Sequence, residues 1–249
     1  MQRTCASGPA VPARHGVARV ISKLGLGSRT QAARWVAEGL VQVNGRLVRD
    51  PEFPVRQGID RIEIAGRPSA PAERVAIMLN KPRGLVTTAS DEQDRDTVYV
   101  CLANADLPWL APVGRLDKAS EGLLLFCNDP QWAAALSAPG SGIQKTYHVQ
   151  VDCVPEAAAL ARLETGIRVG DVMLSAHSVR LLRRGEKRAW LEIVLDEGKN
   201  RQIRRMLEAL DIGVLRLIRV GIGSLPLGDL EKGKWRRLTD AELASLQRR

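Results

Sequence analysis

One stretch limits what this chain can become more than any other: GRLDKASEGLLLF, Gly114 to Phe126. Its second half, Leu123, Leu124, Leu125 and Phe126, is continuously apolar, which is the pattern of a strand buried on both faces. Gly114 and Gly122 bracket the charged first half and give the backbone freedom at each end of a turn. Asp117 therefore stands on a polar loop that feeds directly into a rigid strand. Such a scaffold fixes a carboxylate better than a mobile surface loop does, although an ordinary turn with a solvated aspartate would show the same pattern.

The chain is 249 residues long, more than one domain usually holds, so a larger unit and a small accessory module are expected. A net charge of +9 and a pI near 9.9 favour a polyanionic partner, either nucleic acid or an anionic membrane surface. No apolar run is long enough to span a bilayer, and MQRTCASGPAVPARHG at the start lacks the apolar core of a secretory signal. That leaves nucleic acid, in the cytoplasm. Cys5, Cys101, Cys127 and Cys153 are scattered without C-x-x-C spacing, and the histidines are His15, His148 and His177. Neither a metal site nor a disulfide framework is expected.

Residues 1–14 carry no periodic apolar pattern and read as a disordered tail. From Val17 the pattern is helical, with Val17, Val20, Ile21 and Leu24 on one face. A second helix follows, with Ser28 and Gln31 at capping-box spacing, Ala32, Trp35 and Val36 on its apolar side, and Gly39 as its stop. LVQVNGRLV then predicts a hairpin turning at Asn44-Gly45, and GIDRIEIAG predicts another strand. Residues 15–66 thus form a small domain, and 67–74, RPSAPAER, read as a linker.

In residues 75–249, VAIMLNKPRG predicts a buried strand running into a Pro-Gly turn. Asp129 is placed to cap a helix starting at Pro130, and KTYHVQVDC alternates as a strand with Tyr147 on the face opposite Thr146 and His148. A helix is expected from Pro155 to about Glu164, then strands at MLSAHSVRLL and AWLEIVLD. In EGKNRQIRRML, Asn200 is the expected cap of a helix whose buried stripe is Ile203, Met206, Leu207 and Leu210, with Arg201, Arg204 and Arg205 on its other side. LRLIRVGIG supplies a further strand, and Thr239 with Glu242 would cap a terminal helix.

Taken together and in order, NKPRG (Asn80 to Gly84), GRLD (Gly114 to Asp117), KTYHV (Lys145 to Val149) and EGKNRQIRRML (Glu197 to Leu207) resemble the signature of RNA pseudouridine synthases of the RsuA type, which modify ribosomal RNA. The segment from Val17 to Gly66 resembles the α-L RNA-binding motif of ribosomal small-subunit proteins, through Ser28, Arg29, Ala33, Val36, Gly39, Val41, Val43, Asn44 and Gly45. These resemblances imply an α+β chain, in which a small α-L domain precedes a mixed, largely antiparallel sheet domain flanked by helices. They imply isomerisation of uridine to pseudouridine without any cofactor, on ribosomal RNA or a ribosome-assembly intermediate, by a protein expected to be monomeric.

By the same resemblance Asp117 is the catalytic aspartate, Tyr147 stacks on the uracil, and Arg204 pairs with Asp117. Leu116, Ile203 and Arg115 line the substrate pocket. Asp117 has three routes open to it: attack on the sugar, attack on the base, or removal of a sugar proton. Arg19, Lys23, Arg29, Arg34, Asn44 and Arg46 in the first domain, with Lys81, Arg201 and Arg205 in the second, are the expected RNA contacts. Two other functions compete with it: a catalytically silent RNA-binding or ribosome-assembly factor, and a nucleoside hydrolase or glycosidase that pairs Asp117 with Glu121. Ser120 and Cys127 depart from residues common in the family, and neither bears on the chemistry.

Overall fold

Asn44 and Gly45 both take positive φ, 51° and 78°, so the two-residue turn twists in the sense that its flanking strands require. A computed structural model describes residues 13–66, 73–89, 91–138 and 140–247 of the chain. Most of the expected tail (1–14) and linker (67–74) lies outside the described residues. The chain divides into two compact units, the first comprising residues 1–74 and 108–110 and the second residues 75–107 and 111–249.

The first unit runs β1 (Arg14–Gly16), α1 (Val17–Lys23), α2 (Arg29–Ala37), β2 (Val41–Val43), β3 (Arg46–Val48), β4 (Pro54–Arg56) and β5 (Ile62–Ile64). The capping box at α2 is made: Gln31 N–H donates to Ser28 Oγ and Ser28 N–H to Gln31 Oε1, each at 3.0 Å. Strand β2 is central between β3 and β5, and β1 pairs with β4. Val17, Val20, Ile21, Ala32, Trp35, Val36, Val41 and Ile64 meet in one core, the apolar faces that periodicity assigns to these elements. Asn44 is used by the fold itself. Its side chain accepts from Arg61 N–H and donates to Asp60, and the Arg56 backbone N–H, then this Asn44 donation, then the Arg56 side chain hold the Asp60 carboxyl down at about 2.

The second unit comprises β6 (Ala76–Lys81), β7 (Ala111–Val113), β8 (Glu121–Cys127), α3 (Pro130–Ser137), β9 (Lys145–Val151), α4 (Ala157–Thr165), β10 (Ile167–Val169), β11 (Val172–Leu174), β12 (Ser178–Arg184), β13 (Ala189–Leu195), α5 (Gln202–Glu208), β14 (Val214–Ile222), β15 (Leu225–Pro226), β16 (Trp235–Arg237) and α6 (Asp240–Ser245). Its main sheet has the order β12-β13-β9-β14-β8-β6-β16, with β7 on β8 and β15 on β14. Every pairing in it is antiparallel except β14 with β8. The sheet is therefore mixed and largely antiparallel, and the chain is α+β as expected.

Strand β8 lies inside this sheet with all seven of its residues buried, which is why its apolar run does not alternate. Leu123, Leu125 and Cys127 join Trp132 and Leu136 of α3 and Leu246 beyond α6 in one core cluster. Phe126, on the opposite face, meets Tyr99 edge-on at 5.8 Å. Asp129 caps α3 by accepting from the Gln131 and Trp132 N–H groups, and Thr239 and Glu242 form the capping box of α6.

Three local expectations change. The stretch read as one strand at MLSAHSVRLL is two, β11 and β12, because Ala176 N–H turns to Leu163 O and His177 N–H to Val194 O. Helix α4 begins at Ala157, two residues after Pro155. Helix α5 is not capped by Asn200: its cap position is Arg201, in the left-handed region with φ 48° and ψ 32° and no side-chain cap. Among the described residues no helix is long and apolar enough to cross a membrane.

Candidate active site

The loop carrying Asp117 is held by its own backbone carbonyls. Leu116 O accepts from Thr87 Oγ1 at 2.7 Å, Asp117 O from Ser120 N–H at 2.9 Å, and Lys118 O from Gly84 N–H at 2.8 Å. Lys81, at the end of β6, donates its ammonium to Pro82 O at 3.0 Å, Ser120 O at 2.8 Å and Asp117 O at 3.3 Å. The NKPRG turn and the GRLD loop thus form one hydrogen-bonded body.

Lys81 is fully buried, which corrects its expected role: it cannot reach an RNA phosphate and instead clamps the Asp117 loop. Burial pushes its pKa down to about 8, with Cys101, Glu121 and Asp117 opposing. The unfolded chain therefore holds this proton between about pH 8 and 10.5 while the folded chain does not, so the Lys81 contribution to stability rises with pH across that window and is flat below it. Lys81→Met should lose that rise, as read by denaturant unfolding of both proteins at several pH values. With the loop released, activity should fall by about 10²-fold, while stability at neutral pH changes by no more than about 3 kcal/mol.

Asp117 opens onto a cavity of about 200 Å³. Leu116 and Ile203 form apolar walls, and Tyr147, on the buried face of β9 with Val149 and Val151, lines it too. Arg115, Lys145, Lys199, Arg201, Arg204 and Arg219 supply cations, and Asp117 is the one carboxylate among the described lining residues. Sequence reasoning singled out neither Lys145 nor Arg219 as a cavity residue. Both belong to strands whose alternation hides which side of the sheet carries the cavity.

The cation nearest the Asp117 carboxylate is not the expected one. Arg201 Nη1 lies 3.9 Å from Asp117 Oδ2, whereas Arg204 Nη2 donates to Ala119 O at 3.2 Å and its Nε is buried without a hydrogen-bond partner among the described residues. Arg204 grips the loop beside Asp117. Its pKa is lowered by burial and by the Arg201 cation, and Asp117 opposes the shift. The left-handed backbone at Arg201, a conformation costing about 1–3 kcal/mol outside glycine, occurs where this side chain turns toward Asp117. Gln202 braces the same corner, accepting from Lys199 N–H and donating to Ser175 O, each at 3.0 Å. Arg205 points elsewhere, to Val169 O at 3.4 Å.

Glu121 does not join Asp117 as a second working carboxylate. It is buried, receives both Arg216 Nε and Nη2 at 3.1 and 3.0 Å, and pairs with Lys232 at 2.5 Å. Burial alone would raise its pKa, but these cations hold it below the usual carboxylate range. The paired-carboxylate reading fails on this geometry. Among the described residues no group of three or more His, Cys, Asp or Glu side chains is placed to hold a metal ion.

In the first unit Arg19, Arg29, Arg34 and Arg46 are exposed and Lys23 is half-buried. Arg34 lies 3.8 Å from Glu38, an exposed pair of little energetic weight. Lys23 and, more weakly, Arg19 depress the His15 pKa, so positive charge accumulates around α1.

The family model for RNA pseudouridylate synthases matches residues 75–209, and that for the S4 domain matches residues 17–59. The chain is 36% identical over 231 residues to the ribosomal large subunit pseudouridine synthase B of Bacillus subtilis, covering 92% of this chain and 94% of that protein. It is 35% identical over 230 residues to an uncharacterized RNA pseudouridine synthase of Aquifex aeolicus, covering 92% of each. A crystal structure of a pseudouridylate synthase superposes with a TM-score of 0.62 at 30% identity, covering 94% of this chain and 99% of that one.

Proposed function

Since the chain belongs to the RNA pseudouridine synthases, of the RsuA type with an N-terminal S4 domain, we propose that it isomerises uridine in ribosomal RNA, with Asp117 as the acting carboxylate. That Asp117 is the one carboxylate among the described residues lining this cavity, beside six cations and several apolar side chains, supports this assignment above any other. The reaction breaks the C1′–N1 bond, turns the base while it stays bound, and joins C5 to C1′. It needs a held carboxylate and a closed pocket, with no electrons gained or lost.

In this reading the uridine is turned out of its RNA into the cavity, and Tyr147 lies against the uracil face, where a flat ring tolerates in-plane rotation. Leu116 and Ile203 keep water from the broken glycosidic bond, which suppresses hydrolysis. Arg201 orients the Asp117 carboxylate, Arg204 holds its loop through Ala119 O, and Arg115 stands at the exposed rim. The ribosomal substrate is supported by what the Bacillus relative is named for, and an RNA partner by the exposed Arg19, Arg29, Arg34 and Arg46 of the first unit. Mapping of pseudouridine in ribosomal RNA from cells with and without the gene tests this: one or more sites should disappear, and an unchanged map would refute the assignment.

The exposed cations of the first unit are assigned to phosphates. Replacing Arg19 and Arg29 by Gln should lower the slope of log affinity against log salt by about 0.7–0.9 for each lost contact. The rate at saturating RNA should not change. Filter binding across a salt series checks this, and an identical slope would remove both residues from the RNA interface.

A further inference from the structure

Arg219 is only 5% exposed, and the two ends of its guanidinium have different fates. Nε donates to Leu123 O at 2.7 Å, whereas Nη2 is buried without a hydrogen-bond partner among the described residues. A buried charged donor left unpaired is costly, so Nη2 calls for an acceptor from outside the chain, and its place in the cavity lining makes a bound substrate the candidate. Arg219 lines the cavity that contains Asp117, standing opposite Tyr147 in the β14–β9 register. Lys145 lines the same cavity from β9. Its pKa is lowered by burial first and by the Arg219 cation second, with Asp196 opposing. Asp196 itself is shared with Gln144 and His177.

We propose that Arg219, with Lys145 beside it, forms an oxyanion subsite that receives O4 of the flipped uracil as negative charge develops there. This rests on the isomerase reading of the cavity. The base becomes negative by every route open to Asp117. Attack on the sugar, or removal of a sugar proton, breaks C1′–N1 and leaves the bonding pair on N1, conjugated through C6 and C5 to O4. Attack at C6 sends the C5–C6 π pair to O4 as an enolate, and the bond to C6 later breaks again. In each case C5 finally bonds C1′, the proton that C5 loses is replaced on N1, and atoms and electrons balance without a further reactant. A preformed donor aimed at that oxygen is worth about 10²–10³-fold in rate where such donors have been removed from other sites.

The test compares wild type, Arg219→Met and Arg219→Lys on the same RNA carrying uridine or 4-thiouridine at the target, by single-turnover rates at saturating enzyme and by RNA affinity. Arg219→Met should lose about 10²–10³-fold in rate with affinity little changed, and Arg219→Lys should recover part of it. The ratio of uridine to 4-thiouridine rates should differ between wild type and Arg219→Met, because the intrinsic effect of sulfur on the base is common to both enzymes and only the loss of an N–H donor at that position changes the ratio. A ratio unchanged by the substitution would reduce Arg219 to a structural residue and overturn the proposal. Weakened affinity with a normal saturated rate would assign the guanidinium to a phosphate and overturn it equally. If Arg219→Met does not fold, as judged by thermal melting, the ratio is read on Arg219→Lys. Wild type that formed no pseudouridine would instead sink the isomerase reading itself.

Discussion

Replacing Asp117 by asparagine is expected to abolish pseudouridine formation while leaving folding and RNA affinity near those of the wild type. The amide has almost the carboxylate's shape but can neither attack carbon nor take a proton, so the loss should be at least about 10²-fold and up to about 10⁴-fold. Folding should survive because the loop is held by the Leu116, Asp117, Lys118 and Ala119 carbonyls, none of which the substitution touches. The Asp117 side chain contributes one 3.9 Å contact with Arg201, itself half exposed, and such a pair adds little stability. Rates would be measured on Asp117→Asn shown by mass spectrometry to be free of deamidated protein. Residual turnover above about 1% of wild type would remove this carboxylate from the chemistry, since a base or nucleophile contributes more than that.

The largest stability loss is expected at Gly122. Its φ is 100°, and a Cβ there would stand 2.8 Å from the Arg219 backbone nitrogen and closer still to the Arg219 carbonyl oxygen. This is the point where β14 runs parallel to β8, with Arg219 paired to Gly122 and Ile218 to Glu121. Backbone neighbours cannot swing aside as a side-chain end would, so overpacking adds to backbone strain. Gly122→Ala should cost about 2–6 kcal/mol, a large share of the 5–15 kcal/mol that typically holds a domain together. Gly114→Ala is the control. Gly114 also has positive φ, 73°, but nothing lies within 4 Å of its Cβ position, so only the strain of about 1 kcal/mol remains. Denaturant unfolding of both variants separates the two causes, and equal losses would contradict the packing account.

Much of this fold was legible because its signals are local. Ser28 and Gln31, Asn44 and Gly45, Asp129 with Pro130, and Thr239 with Glu242 each fix a turn or a helix end within a few residues, and the structure uses every one of them. The apolar run of β8 announced a strand covered on both faces. The position of α5 was legible too, but its start was not, since Gln202 braces the corner where Asn200 was expected to cap.

The site was legible in its parts and illegible in its pairings. Lys81 beside a Pro-Gly turn reads as a surface cation, and only the approach of a loop 36 positions later makes it a buried clamp. Glu121 reads as a solvated turn residue, yet Arg216 and Lys232, 95 and 111 positions away, enclose it. Helical spacing put Arg201, Arg204 and Arg205 on one side of α5 but could not divide their tasks. Because Arg201 precedes the first helical turn in a left-handed conformation, it reaches toward Asp117 while Arg204 reaches Ala119 O. Long-range contacts of this kind leave no periodicity in the chain.

The central claim is that this cavity rearranges uridine without releasing it. The most direct measurement incubates the purified protein with ribosomal RNA transcripts carrying tritium at uridine C5, and counts exchanged tritium, pseudouridine and free uracil in the same samples. One tritium should be released for each pseudouridine formed, with no free uracil. Free uracil in place of pseudouridine, or no tritium release from any ribosomal transcript, would contradict the account.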